Sequence, residues 1–256
     1  MKQSIYIHID TTSNIVMTRG LQAADFHTGI IHPPKNLLLL NPASTYGDYE
    51  SHTGLKIVRG VDAVEQYAQI VTKQRLGEEN KWIDFSDLFM LRELSPLEVS
   101  ELLYFGHMRT HLRSPFFYKL QNNFVYFDLP QRVSRIYYRY LDEFYRVLAG
   151  KIKRQTLERV NDKRTFFKRP IPVADVPLEI IKQLHEYTKE GLVLSFDQAT
   201  TDTHEFHLPL YLADQELVSN KEISLERYAG ELIYQLQDRS WTLHLSDAPA
   251  SFMSFI

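Results

Sequence analysis

The chain has 256 residues, of which 44% are hydrophobic and 24% charged, and its formal net charge is −3. This composition is typical of a globular protein and excludes disordered and fibrous classes. Because the sequence contains no cysteine, it cannot form disulfides, thiolate nucleophiles or cysteine-ligated metal centres, and a reducing compartment is expected.

The N-terminal segment offers only Ile5–Ile9 before Asp10, which is too short and too polar for the apolar core of a signal peptide. The longest aliphatic run, Leu37–Leu40, is far below the length of a membrane span. We therefore expect a cytoplasmic protein that does not bind a membrane.

Short apolar runs in the first 94 residues predict β-strands. Residues 5–9 and 14–18 alternate in the manner of a hairpin, and Leu37–Leu40, Leu55–Val58 and Trp82–Phe85 have the length and composition of buried strands.

Ser95-Pro96-Leu97-Glu98 is the clearest local signal in the chain. Serine at the N-cap, proline at the first helical position and glutamate at the third form a capping box. This sequence predicts a helix from Pro96 to about Leu112, because Pro115 prevents its continuation.

Two aromatic runs follow, at residues 116–120 and 124–129, and asparagines at 122 and 123 predict a hairpin turn between them. A second helix is predicted after Pro130 from apolar residues at spacings of three and four. These residues are Val133, Ile136, Tyr137, Tyr140, Leu141, Phe144, Val147 and Leu148.

The C-terminal third predicts further helices and strands. Pro177 can open a helix that runs to Lys189, with Gly191 at its C-cap. Residues 192–196 and 206–212 resemble strands. Residues 224–238 fit a helix and a hairpin strand about equally, and the helix is preferred because its pattern is longer.

Together these elements predict an α+β fold with mixed or antiparallel sheet segments around a central helix–β-hairpin–helix unit. The expected organisation is an N-terminal region at 1–94, a core at 95–169 and an acidic region at 170–256, which form either separate parts or one compact domain.

No sequence motif identifies a reaction. Glycine-rich phosphate loops, G-x-S-x-G and HExxH are all absent. Whether the protein is an enzyme therefore stays open, and no cofactor is expected.

Two histidine groups are candidate sites. His107 and His111 lie four residues apart on the predicted helix, which would place both within reach of one metal ion. In the cluster Asp202, His204, Glu205 and His207, either Asp202 with His204 or Glu205 with His207 can pair as acid and base. Core or solvent-exposed histidines are the simpler interpretation of both groups.

Charge is strongly segregated along the chain. Residues 131–169 carry 12 Lys/Arg against 4 Asp/Glu, a net of +8, and residues 170–256 carry 5 against 14, a net of −9. Arginine forks beside an aromatic ring can bind a polyanion such as single-stranded nucleic acid. The residues predicted to bind a polyanion or a protein partner are Arg132, Arg135, Tyr138, Arg139, Arg146, Lys153 and Arg154.

The acidic region is a simpler partner for this basic segment than nucleic acid, either within one chain or between subunits. The favoured function is therefore a non-catalytic interaction protein that self-associates or binds another protein. The alternatives are a histidine/carboxylate hydrolase, with or without a metal, and single-stranded nucleic-acid binding.

Overall fold

A computed structural model describes residues 4–41, 43–74, 80–107, 115–129, 132–162, 169–213 and 227–246. Within these ranges the chain forms seven α-helices and thirteen strands in antiparallel sheet, so the predicted α+β class is confirmed. None of the described helices is long and apolar enough to cross a membrane.

The elements have the following bounds. The strands are β1 (Ile5–Asp10), β2 (Ile15–Arg19), β3 (Asn36–Leu39), β4 (Asp48–Glu50), β5 (Leu55–Arg59), β6 (Lys81–Phe85), β7 (Phe124–Leu129), β8 (Val133–Tyr138), β9 (Leu192–Leu194), β10 (Thr200–Thr201), β11 (Glu205–Leu212), β12 (Arg227–Gln235) and β13 (Ser240–Leu245). The helices are α1 (Ala23–Gly29), α2 (Val61–Gln74), α3 (Leu88–Arg92), α4 (Pro96–His107), α5 (Leu141–Asn161), α6 (Leu178–Gln183) and α7 (His185–Glu190).

The chain divides into two compact units. The first unit draws on Met1–Ile9, Thr18–Leu21 and Phe144–Ile256, and the second on Asp10–Met17 and Gln22–Glu143. In the first unit the strand order is β13-β12-β11-β9-β1, with β10 beside β11; in the second it is β2-β8-β7-β6-β3-β5-β4. The three-part division of the chain at residues 94 and 169 stays a prediction.

The core of the second unit is aromatic. Phe26 of α1 packs against Phe124 with ring centroids 5.2 Å apart and against Tyr126 at 5.4 Å. Trp82 of β6 stacks on Tyr126 at 5.1 Å with the ring planes 7° apart. Strands β6, β7 and β8 are buried on both faces over most of their length, so apolar and aromatic side chains occupy both of their faces.

The capping box at the start of α4 is confirmed. The Ser95 hydroxyl and backbone N–H both donate to the Glu98 carboxylate at 2.7 Å, and the Glu98 N–H donates back to the Ser95 hydroxyl at 3.3 Å. Lys119 adds an ion pair to the same carboxylate at 2.8 Å. The structure describes α4 as far as His107, and its predicted end near Leu112 lies outside the described residues.

The central helix–hairpin–helix unit is present, but its hairpin is shifted along the chain. Residues 118–120 form a 3-10 turn instead of a strand, and β7 pairs with β8. Asn122 is fully buried and is not a hairpin-turn residue. Its amide accepts from the Phe117 N–H at 2.8 Å and donates to the Pro115 carbonyl at 3.2 Å.

The predicted second helix is wrong over its first third. Residues 133–138 form strand β8, and the helix begins only at Leu141. Because both faces of β8 are buried, its apolar residues fit the helical spacing as well as an extended one. Arg139 therefore precedes the helix. Glu143 contacts His32 at 2.6 Å.

The helix preferred for residues 224–238 is also wrong. Residues 227–235 form strand β12, whose neighbour β13 places Trp241 directly opposite Tyr234, with ring centroids 4.7 Å apart. A Cβ on Gly230, which has φ 137°, would lie 2.2 Å from the His244 carbonyl oxygen. This cross-strand packing favours the hairpin, and it is invisible to a single-segment pattern.

The predicted helix opened by Pro177 and closed by Gly191 is confirmed with a break. It consists of α6 and α7, joined at Leu184, and Gly191 adopts a left-handed conformation with φ 94° at the C-cap. A Cβ on Gly191 would lie 2.5 Å from the Ala213 carbonyl oxygen, so both conformation and space call for glycine.

A buried carboxylate organises the loop that leads into β7. Asp84 of β6 accepts hydrogen bonds from the Phe124 N–H at 2.6 Å and from the Asn123 N–H at 2.9 Å. The Arg139 guanidinium donates to the Asn122 carbonyl at 2.7 Å and lies 5.2 Å over the Phe116 ring. Burial raises the pKa of Asp84 to about 7, although the backbone hydrogen bonds and Arg139 oppose the shift.

We predict that Asp84 makes the protein less stable as the pH rises from about 4 to about 7. Its pKa is about 7 in the folded state and 3.8 in the reference state, so the folded protein holds the extra proton in this window. The free energy of unfolding, measured by urea titration at several pH values, should fall as the pH rises. Asp84→Asn should flatten this dependence, and an unchanged slope in the variant would contradict the assignment.

We also predict that Ser95→Ala lowers the free energy of unfolding by about 1 kcal/mol, because one end of the capping box is lost. Ser100→Ala is the matched control, since the Ser100 hydroxyl bonds only the Pro96 carbonyl of its own helix. Hydrogen bonds from Lys119 and Ser95 lower the pKa of Glu98 to about 2. The contribution of Glu98 should therefore be present above pH 4.5 and disappear as the pH falls towards 2. Equal losses in both serine variants would show that the cap does not stabilise the helix.

Candidate metal-binding site

The outer face of the first unit's sheet carries the best-defined group of polar side chains in the described residues. Buried and half-buried residues alternate along β11, so its odd-numbered side chains share one face. Glu205 lies opposite Gln235 of β12, and His207 lies opposite Ile233. Directly opposed residues point to the same side of a sheet, so this face combines carboxylate, imidazole and amide groups.

His207 lies between two carboxylates. Its Nε2 is 3.0 Å from Glu205 Oε2, and its Nδ1 is 3.1 Å from Glu231 Oε2. All three side chains are between about a quarter and a third exposed. The contact predicted between Glu205 and His207 is therefore present, and β12 adds a second acidic partner from the adjacent strand.

Asp202 completes the group. Its carboxylate accepts from the backbone N–H groups of His204 at 2.7 Å and Glu205 at 2.8 Å. These hydrogen bonds hold the pKa of Asp202 below its ordinary value, so it is anionic at neutral pH. The alternative pairing of Asp202 with His204 involves the His204 backbone, whereas the His204 ring lies 3.3 Å from the Gln237 amide nitrogen.

The distances within this group fit one metal ion. Single ligand atoms of Asp202, Glu205 and His207 all lie within 4.8 Å of one another. Two ligands about 2.1 Å from one ion, at an angle near tetrahedral or octahedral, are separated by roughly 3.0–3.4 Å. The 3.0 Å between His207 Nε2 and Glu205 Oε2 agrees with that spacing.

Glu231 has a different position from Asp202, Glu205 and His207, the three candidate ligands. It contacts Nδ1 of His207, which is the nitrogen that faces away from Glu205. In metal sites a ligating histidine commonly donates its second N–H to a carboxylate, and this bond fixes the tautomer and the ring orientation. If His207 bound a metal through Nε2, Glu231 would be placed to position the ring in this way.

The residues predicted to bind a polyanion are not gathered on one helix. In the second unit, Arg132 is exposed with φ 62°, and Arg135 is half-buried on β8. Tyr138 is only 1% exposed, so its ring cannot stack on a base. Arg139 is committed to Asn122 and Phe116. Tyr138 and Arg139 therefore have internal contacts in the second unit.

The other three predicted basic residues lie on α5 in the first unit. Arg146 is exposed, and Lys153 and Arg154 are half-buried. Lys153 pairs with Asp175 at 2.7 Å. The binding of a polyanion or partner by the seven residues stays a prediction.

The metal site predicted at His107 and His111 cannot be compared with the described geometry. His107 is the last described residue of α4, and both imidazoles lie outside the described side chains. That site stays a prediction.

Sequence reasoning identified Asp202, Glu205 and His207 but missed Glu231. Glu231 is 24 positions from His207, and the preference for a helix over 224–238 concealed the alternation that places it on the sheet. A strand assignment for residues 224–238, beside the strand predicted at 206–212, would have suggested the contact. Comparison of the chain with protein-family models, with curated proteins and with solved structures finds no match.

Proposed function

We propose that this protein binds a divalent transition-metal ion through Asp202, Glu205 and His207, with Glu231 orienting the histidine. The observation that supports this proposal most directly is the geometry of His207, which contacts Glu205 through Nε2 and Glu231 through Nδ1 and lies close to Asp202. A set of two carboxylates and one imidazole suits Zn²⁺ and similar ions, whereas Mg²⁺ prefers oxygen ligands alone.

Binding without catalysis is the function that this geometry supports best. Three protein ligands leave positions for water, which a hydrolytic zinc site also requires. A hydrolase would further need a group that activates this water. Glu231 is engaged with His207 and is therefore not free for this role. A hydrolase is therefore the second candidate.

Single-stranded nucleic-acid binding has less support. Lys153 is paired with Asp175, and Arg159 approaches Asp197 at 3.9 Å. Both acids belong to the acidic region and to the same unit as their partners. These contacts favour the internal use of basic charge that the sequence suggested, and they agree with an interaction protein better than with a polyanion-binding one.

We predict that His207→Ala weakens Zn²⁺ binding more than tenfold and that Glu231→Gln weakens it by about 10- to 100-fold. Isothermal titration calorimetry on protein without a histidine tag measures both losses. His204→Ala is the matched control, because it removes a neighbouring imidazole whose ring is directed at Gln237. It should leave the affinity unchanged.

An ion pair between a protonated histidine and two carboxylates, with no metal bound, would show the same distances. The calorimetric Zn²⁺ titration distinguishes this ion pair from a metal site. If a metal replaces a proton on His207, binding must release protons and weaken at acidic pH. Wild-type protein that takes up no Zn²⁺ at neutral pH would overturn the proposal. Equal losses in the His204 and His207 variants would place the binding elsewhere.

A further inference from the structure

Strand β4 of the second unit and strand β13 of the first unit, each the last strand in its unit's order, differ in how well they are protected from other strands. Strand β4 is three residues long and carries Asp48 and Glu50, and Asp48 lies 3.7 Å from Arg59. Strand β13 has six residues, Ser240–Leu245, and no Lys, Arg, Asp, Glu or Pro among them. Short strands, charges and prolines are the usual features that prevent edge-to-edge association. By this measure β4 is protected and β13 is not.

The register of β12 and β13 shows which backbone groups of β13 face outward. The Ser246 N–H donates to the Ala229 carbonyl at 3.0 Å, and Glu231 lies opposite His244. In an antiparallel ladder every second residue bonds to the same neighbour. Residues 242 and 244 therefore bond to β12, and Trp241, Leu243 and Leu245 direct their N–H and C=O groups away from it.

The hydrogen bonds between β11 and β12 lead independently to the same assignment of inward- and outward-bonding residues. The Leu236 N–H donates to the His204 carbonyl at 2.8 Å, so the even-numbered residues of β12 bond to β11 and the odd-numbered ones to β13. In the part of the chain that the structure describes, β13 has a strand neighbour on one side only.

We propose that β13 pairs with β13 of a second copy of this chain, forming a two-fold symmetric antiparallel dimer. Outward N–H and C=O groups at alternate residues call for a strand as their partner. The three outward residues are spaced symmetrically about Leu243. A second copy can therefore present the same groups in the reverse direction, as a self-complementary interface requires.

The outward-facing N–H and C=O groups of β13 favour one register for the pairing of the two β13 strands. Leu243 opposite the partner's Leu243 and Trp241 opposite the partner's Leu245 use all three outward residues of each strand, in about six hydrogen bonds. A shift by two residues would use only two of the three. The selected register also places Thr242 opposite the partner's His244, so no two acidic or two basic side chains meet across the junction.

Apolar surface beside the edge adds to this interface. Leu245 is 38% exposed, and Tyr228 on β12 is 48% exposed. Tyr228 packs edge-on against Tyr211 of β11 with ring centroids 5.7 Å apart. Pairing at β13 would cover apolar side chains next to the new hydrogen bonds, and this dimer is independent of the proposed metal site.

Light scattering after gel filtration tests the proposal. The measured mass of the wild-type protein should rise with protein concentration from the chain mass of 30.1 kDa towards twice that value. Leu243→Pro removes an outward N–H, a change that edge strands tolerate, and Leu245→Lys introduces an edge charge without changing the backbone. Both variants should remain monomeric, whereas Tyr49→Lys on β4 should dimerise like the wild type. A wild type that stays at the chain mass, or two β13 variants that dimerise normally, would overturn the proposal.

Cross-linking tests the register. Because the chain has no cysteine, a Leu243→Cys variant can form a disulfide only with another copy. In the proposed register the two positions 243 are opposed at about 5.5 Å between Cα atoms, within disulfide range. Thr242→Cys faces the partner's His244 and should cross-link much less. Equal or reversed yields of covalent dimer would contradict this pairing.

Discussion

The alternation of the antiparallel ladder in β11, β12 and β13 determines what the first unit can bind. One face carries the buried side chains of Phe206, Leu208 and Tyr234, so Glu205, His207 and Glu231 lie on the opposite face. The same alternation fixes which backbone groups remain available at the edge. A polar cluster around His207 and, among the described residues, outward-facing backbone groups along β13 therefore follow from a single register.

In the second unit strands β6 and β7 are buried over most of their length, and polar groups there need internal partners. Asp84 accepts from two backbone N–H groups, and Asp128 accepts from the Asn80 amide at 2.7 Å and the Tyr126 hydroxyl at 3.0 Å. Burial raises the pKa of Asp128 to about 6. Unpaired carboxylates at these depths would be costly, so both networks are explained by the folding of the aromatic core.

The sequence predicted correctly those structural features that depend only on residues close together in the chain. The cap at Ser95, the left-handed turn at Gly191 and most early strands need only a few adjacent side chains. Strands β8 and β12 were assigned to helices because their apolar spacing fits either conformation, and the deciding contacts come from other strands. Glu231 was missed for the same reason, since its approach to His207 is a property of the β11–β12 register.

The segregation of charge along the sequence is partly resolved inside the first unit. Lys153 and Arg159 project from α5 towards Asp175 and Asp197, which belong to the acidic region. Exposed pairs of this kind stabilise a fold only weakly, but they reduce the positive charge available to an external polyanion. The carboxylates of Glu205 and Glu231 instead lie within 3.1 Å of His207. Negative charge concentrated around one imidazole favours a cation over an anion at the outer face of this sheet.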